Sequence, residues 1–291
     1  MNETEVLREL NQDLQRADAQ RVVYLEGKSD LPIFLALLGS SMPDTEAPTP
    51  GSSRLPVPDG VEHRGVLVRG LSGRSRPGSG SIAVRDRVDL AARRGYTGVY
   101  GITDGDGERF ATLAASFAAP GPCFRWPAYC IENLLVRTGW PAAWGTAPDW
   151  ISVLLEHVPY VALNRLHREL LQSLKTLRLA GFSEPKLPEP MKTSEDVRSA
   201  LAQDKHLIEG YDAESRFLHQ VADVEAAIRS SLDEAHALVN GKWLVDVFAP
   251  RTLGPHATPQ RCRDEWIAHA VATGGLAEAR DLWQRITGRP A

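Results

Sequence analysis

Three acids stand out by type and spacing: Glu26 in Leu-Glu-Gly, and the pair Asp104 and Asp106 in Thr-Asp-Gly-Asp. Each alone reads as a helix cap or a solvated turn, because acids and glycine are favoured where a chain reverses. Together they imply more. Two carboxylates one residue apart at a strand end can converge with a third from a neighbouring strand, giving the oxygen donors that a hard divalent ion needs. Without an ion their mutual repulsion is unfavourable. With Mg²⁺ or Mn²⁺ they can orient a water or a phosphate oxygen and offset the charge that develops in phosphoryl transfer.

The flanking sequence supplies the elements that such chemistry requires. Val6, Leu7, Leu10 and Leu14 recur at helical spacing over residues 3–16, and the run Arg21-Val-Val-Tyr-Leu25 is a strand that stops at Glu26-Gly27. Ser29 or Asp30 then caps a helix with Pro32 in its first turn and Gly39 as its stop. After a loop over residues 40–59, a second strand covers residues 65–68, a helix residues 82–94, and a third strand residues 97–103 ahead of Asp104. Alternating strand and helix predicts an α/β fold with a parallel sheet, whose active edge lies at the strand C-termini. Glu26 and Asp104 both fall at that edge.

Beyond Pro127 the pattern becomes helical. A helix around Tyr129, Ile131, Leu134 and Leu135 is followed by segments at residues 150–179, 195–208, 213–238, 261–272 and 276–286, separated by Pro and Gly clusters. The expected division is an α/β domain over residues 1–139 and a mainly helical elaboration over 140–291.

The motif Tyr24-Leu-Glu-Gly-Lys-Ser-Asp30, with Gly101-Ile-Thr-Asp-Gly-Asp-Gly107, resembles the Toprim signature of a Glu after the first strand and a DxD after a later one. The segment Tyr129-Cys-Ile-Glu-Asn-Leu-Leu135 is similar to the Toprim-like domains of the overcoming-lysogenization-defect nucleases. It is especially like the stand-alone Toprim proteins that partner ABC-type ATPases in anti-phage defence, the AriB-like effectors of the phage anti-restriction-induced system. Asn240-Gly-Lys-Trp243 resembles the Gly-Lys element of that group.

This resemblance implies a Toprim-like Rossmannoid sheet and roles for individual residues. Glu26 is then a metal ligand or the general base, and Asp104 and Asp106 bind Mg²⁺ or Mn²⁺. Asp30 completes a site directly or through water, Glu132 supplies a further ligand, and Asn133 orients it or caps a neighbouring backbone group. Lys242 sits against the scissile phosphate or the leaving oxygen. The motifs cover roughly the first 140 residues plus the Gly-Lys element.

Charge and composition limit the alternatives. The 291 residues carry 33 Lys+Arg against 37 Asp+Glu, a formal net charge of -4, which argues against a sequence-blind nucleic-acid coat. Nine arginines against four acids between Arg54 and Arg94 form a local surplus, and Arg69, Arg74 and Arg76 border the glycine-rich loop near the strand ends. They are the candidate phosphate-backbone contacts. That loop lacks the GxxxxGK[ST] order of an ATPase, so any ATPase is a separate chain. Eight histidines show no HExxH or zinc-type spacing, three cysteines include no CxxC pair, and there is no GxSxG elbow. The seven tryptophans read as core and helix contacts.

The N-terminal segment lacks the character of a secretory signal and no stretch is long enough to span a membrane, so the expectation is a cytoplasmic protein with no membrane partner. The expected function is a divalent-metal-dependent endonuclease cleaving RNA such as tRNA, or DNA, as the effector of an anti-phage system held in check by an ABC-type ATPase. A homo-oligomer is left open. The alternative keeps the fold without catalysis: a nucleic-acid-binding or assembly subunit of an ATPase complex.

Overall fold

The computed structural model describes residues 3–16, 21–43, 60–71, 80–174 and 213–288. Arg74, Arg76, most of the loop expected after residue 40 and the helix expected at 195–208 lie outside them. The described chain forms two compact units, one of residues 1–147 with 240–291 and one of residues 148–239. This differs from the expected boundary at 139, because the last fifty residues rejoin the α/β layers.

In the first unit, strands β1 (Val22–Leu25), β2 (Gly60–His63), β3 (Val66–Gly70), β4 (Val99–Thr103) and β5 (Cys123–Arg125) make one sheet in the order β2-β3-β1-β4-β5. β3, β1, β4 and β5 are parallel and β2 runs antiparallel to β3. The expected parallel sheet is therefore a mixed one. The two edge strands escape the sequence pattern because each is only three or four residues long and carries little apolar alternation. β2 is fixed by a two-residue hairpin loop in which Arg64 and Gly65 both have positive φ, 49° and 77°. Such a turn matches the right-handed twist of the strands it joins, and Gly65 meets it without a Cβ conflict.

β1 is buried along its whole length, as a central parallel strand must be when helices cover both faces. Val22 and Tyr24 join a core with Leu10 of α1 (Glu3–Arg16) and with Val84 and Val88 of α3 (Gly80–Arg93). Strand alternation turns Val23 and Leu25 to the other face. Helix α2 (Asp30–Leu37) packs there beside α5 (Ile131–Arg137), α12 (Pro259–Ala272) and α13 (Ala277–Thr287). Its Asp30, Leu31, Ile33, Phe34, Leu35, Ala36 and Leu37 are all buried, so it is covered on nearly every side rather than along one stripe. Two of these covering helices, α12 and α13, come from the end of the chain; Trp283 of α13 and Trp126, just before α5, both pack against Phe34.

Helix α4 (Phe110–Ala118) connects β4 to β5. The Gly-Lys segment forms a single turn, α10 (Gly241–Trp243), continued by a π-helical stretch at Leu244–Phe248 and by α11 (Ala249–Leu253). The second unit contains α6 (Trp150–Leu155), α7 (Val158–Leu174), α8 (Ala213–Ser230) and α9 (Leu232–Leu238). The single helix expected over 213–238 breaks at Ser231, whose side chain accepts a hydrogen bond from the Glu234 N–H at 3.1 Å and caps α9. Among the described residues no helix is long and apolar enough to cross a membrane.

Candidate active site

The chain leaves β1 for β3 on one side and then crosses back to β4 on the other, so the strand order reverses between β1 and β4. The crevice beyond the C-terminal ends at such a reversal is the customary ligand position of open α/β sheets. Glu26 follows β1 and Asp104 follows β4 on this rim, and they touch: the Asp104 N–H donates to Glu26 Oε1 at 2.9 Å. One residue past each strand, the two acids are held in register by the β1–β4 pairing of Leu25 with Ile102.

The loops after both strands are tied down by their own polar groups. The Gly27 N–H donates to Asp30 Oδ2 at 2.9 Å, so the second acid of the Glu-Gly-Lys-Ser-Asp turn is turned back onto that turn. In the Asp-Gly-Asp loop, the N–H groups of Gly105 and Asp106 donate to the Tyr129 carbonyl at 2.9 and 3.0 Å. Arg125 at the end of β5 clamps the same loop from below, through Gly105 O at 2.9 Å and Glu108 Oε1 at 2.7 Å. Asp106 itself is exposed and has a left-handed backbone, φ 54°, a conformation that Asp tolerates better than most residues.

Glu132 and Asn133 lie in the first turn of α5, fully buried. Asn133 Oδ1 accepts the Cys130 N–H at 3.1 Å and the Gly241 N–H at 2.9 Å. One side chain thus caps its own helix and docks the Gly-Lys turn from more than a hundred residues away. Gly241 is required at this contact, because a Cβ there would stand 2.4 Å from the Asn133 nitrogen and 2.6 Å from its Oδ1. Asn240 finishes the turn by accepting the Lys242 N–H at 2.9 Å.

The charges of Lys242 and the carboxylates are mutually coupled. Burial pushes Asp104 well above the usual carboxylate range, and the charges of Asp30, Glu26 and Glu132 push it further. Asp30 is raised to about 6 by burial and by the Glu132 charge, with Lys242 and the Gly27 N–H pulling the other way. Glu26 is raised chiefly by burial, opposed by its hydrogen bond from Asp104 and reinforced by Asp106 and Asp30. Burial alone would lower the Lys242 ammonium, but the charges of Glu132, Cys130, Asp104 and Asp30 outweigh it and the group is held above its ordinary value. The structure therefore brings Glu26, Asp30, Asp104, Glu132 and Lys242 into one electrostatic neighbourhood, with Asp106 on its open side.

Arg69 has other partners. Its Nη1 donates to the buried Asp13 of α1, which also accepts the Tyr24 hydroxyl at 2.8 Å. Arg87 reaches Glu9 at 2.5 Å and Arg94 reaches Glu3 at 3.0 Å. Part of the arginine surplus is thus answered by acids of α1, outside the window in which it was counted. Arg69 ties that helix to β3.

Two groups at the site had no signal in the sequence. Arg263 of α12 points Nη1 at Glu132 Oε1, 3.4 Å away, and Nη2 at both oxygens of Asp246, 2.8 and 2.9 Å away. Neither spacing nor residue type marks them, since Glu132 and Arg263 are 131 positions apart.

The donor set suits a hard cation in kind: carboxylate oxygens, several of them buried together, with Glu132 Oε2 fully buried and only the weakly donating Cys130 thiol beside that carboxylate. Among the described residues no three acidic, Cys or His side chains stand already assembled as a ligand group. Fold and site together define an α/β protein with an acid-lined rim at its strand reversal. No family model, curated protein or solved structure matches the chain.

Proposed function

We propose that the protein is a divalent-metal-dependent nuclease of the Toprim type, acting on RNA such as tRNA or on DNA as the effector of an anti-phage system controlled by an ABC-type ATPase. The observation that carries the reading is the contact of Glu26 with Asp104 across the strand reversal, with Lys242 coupled to the same acids. Its class comes from the resemblance of the Glu26, Asp104-Gly-Asp106 and Ile131-Glu-Asn motifs. Regulation and partner come from that resemblance alone.

In this reading Asp104, Asp106 and Glu26 hold Mg²⁺ or Mn²⁺, with Asp30 and Glu132 completing the set. The ion would supply Lewis acidity toward a phosphoryl oxygen and a water of lowered pKa. The protein's own part is positional. The Asp104 N–H fixes Glu26 Oε1, leaving its other oxygen to accept a proton from an attacking water. Asn133, accepting from the Gly241 N–H, and Asn240, accepting from the Lys242 N–H, hold the turn that carries Lys242, whose ammonium would meet the anionic oxygens of a bound phosphodiester. The neighbouring charges of Glu132, Asp104 and Asp30 outweigh the effect of burial and keep that ammonium charged, which a donor to a developing oxyanion requires.

The test is cleavage of tRNA and plasmid DNA by purified protein, with its activating partner where one is needed, in Mg²⁺ or Mn²⁺. Glu26→Ala and Asp104→Ala are each expected to lower the rate by about 10²-fold or more, the scale on which removing an electrostatic or general-base group acts. Undiminished cutting by both variants would sink the assignment. Metal-independent nucleic-acid binding with no cleavage would instead favour the binding or assembly subunit.

A further inference from the structure

We infer that Arg263 is a positioning residue for the site, holding Glu132 through one carboxylate oxygen so that the other faces the cation. The inference rests on the metal-nuclease reading and deepens it by adding an arginine and an acid, Asp246, that the motifs do not contain.

Three observations meet here. Glu132 is 0% exposed, so its position is set by neighbouring protein rather than by water. Its Oε1 faces Arg263 Nη1, while Oε2 is buried and the carboxylate's other hydrogen-bonding neighbour is the Cys130 thiol, a weak donor. A buried acceptor left in that state is unfavourable unless a further ligand takes it up. Arg263 is itself fixed: its Nη2 engages both oxygens of Asp246, and its side chain is only 16% exposed.

Asp246 lies in the π-helical stretch Leu244–Phe248, four residues after Lys242. Wide helical turns of this kind re-aim side chains and recur at functional sites. The same short segment thus delivers Lys242 toward the acids and Asp246 to Arg263. The chain of contacts runs from Asp246 through Arg263 to Glu132, on three separate elements. An arginine suits the middle position because its planar fork can serve two carboxylates with fixed geometry, which a lysine's single ammonium cannot. Partners that orient a ligand in this way typically change metal affinity by about 10 to 100-fold when removed.

The experiment is Mn²⁺ binding to the full chain, read by calorimetry and by the spin-resonance signal of free Mn²⁺, with no substrate present. Arg263→Met and Glu132→Gln are each expected to weaken binding by about tenfold or more. The double variant should be little worse than either single one, because both remove the same contact. Asp246→Asn should give a smaller loss, and Arg263→Lys should recover part of the affinity. A purely structural arginine would lower the melting temperature without this coupling. Should Arg263→Met fail to fold, the partly exposed Asp246 and the conservative Arg263→Lys carry the same test.

Wild-type affinity in Asp246→Asn and Arg263→Lys, together with wild-type affinity in any Arg263→Met that folds, would overturn the inference. If Glu26→Ala and Asp104→Ala abolish binding in the same series, the metal-nuclease reading survives that result. No Mn²⁺ binding by the wild-type protein would overturn both.

Discussion

Asn133 is the residue on which the distant parts of the site depend. Its Oδ1 receives the N–H groups of Cys130 and Gly241, both buried, and truncation strands two donors at once. A buried unsatisfied donor costs about 1–3 kcal/mol, so Asn133→Ala should lower unfolding stability by roughly 2–4 kcal/mol in urea titrations. Because Gly241 is released with it, any cleavage under the proposed nuclease function should fall as well, even below the melting temperature of the variant. Asn133→Asp keeps the acceptor and should recover part of both. Equal stability and activity in wild type and Asn133→Ala would remove this anchor from the mechanism. The residue's neighbour in the motif, Glu132, was legible as an acid on a helix. Its partner Arg263 was not, because helix α12 meets α5 only after the chain has folded.

At the scale of elements, α1 shows how a charge count can mislead. Asp13 is buried at 1% exposure and holds both the Tyr24 hydroxyl and Arg69. Burial first, and the adjacent Asp13 charge and hydrogen bond next, push the Tyr24 phenol well above its ordinary value, so it remains a neutral donor. Removing one member of a buried ionic group leaves the others uncompensated, and Asp13→Ala should cost about 3 kcal/mol in denaturant unfolding. Arg69→Met should also lose stability, and if the protein binds nucleic acid as proposed, that affinity and its salt dependence should be unchanged. Retained stability with weaker, less salt-dependent binding would instead support Arg69 as a phosphate contact. The helix itself and strands β1, β3 and β4 were readable from apolar periodicity. β2 and β5 were not, since their few residues are held by pairing to β3 and β4 rather than by pattern.

On the scale of the whole molecule, the helical unit carries its own pH sensitivity in His157. The ring is 2% exposed and packs 4.7 Å from the Tyr160 ring, and burial lowers its pKa from 6.5 to about 4. The unfolded chain therefore takes up the proton first. The neutral ring's contribution is complete above about pH 6.5, declines as the pH falls, and is gone near pH 4. The shift corresponds to about 3 kcal/mol. His157→Leu should flatten the wild-type fall in unfolding free energy across that window by about this amount. Parallel profiles for the two proteins would refute it. Across both units, the sequence by itself determined the α/β alternation, the helical second half and the acids Glu26, Asp104 and Asp106 at strand ends. Those follow from local propensity and periodicity, which neighbouring residues impose. Only the tertiary structure decided that residues 240–288 return to the sheet, that Asn133 is what docks the Gly-Lys turn, and that Arg69 pairs with Asp13 while Arg263 pairs with Glu132. Such pairings join residues 56 to 131 positions apart. They are selected by burial, where a charge must find a partner, and no local pattern records which partner that is.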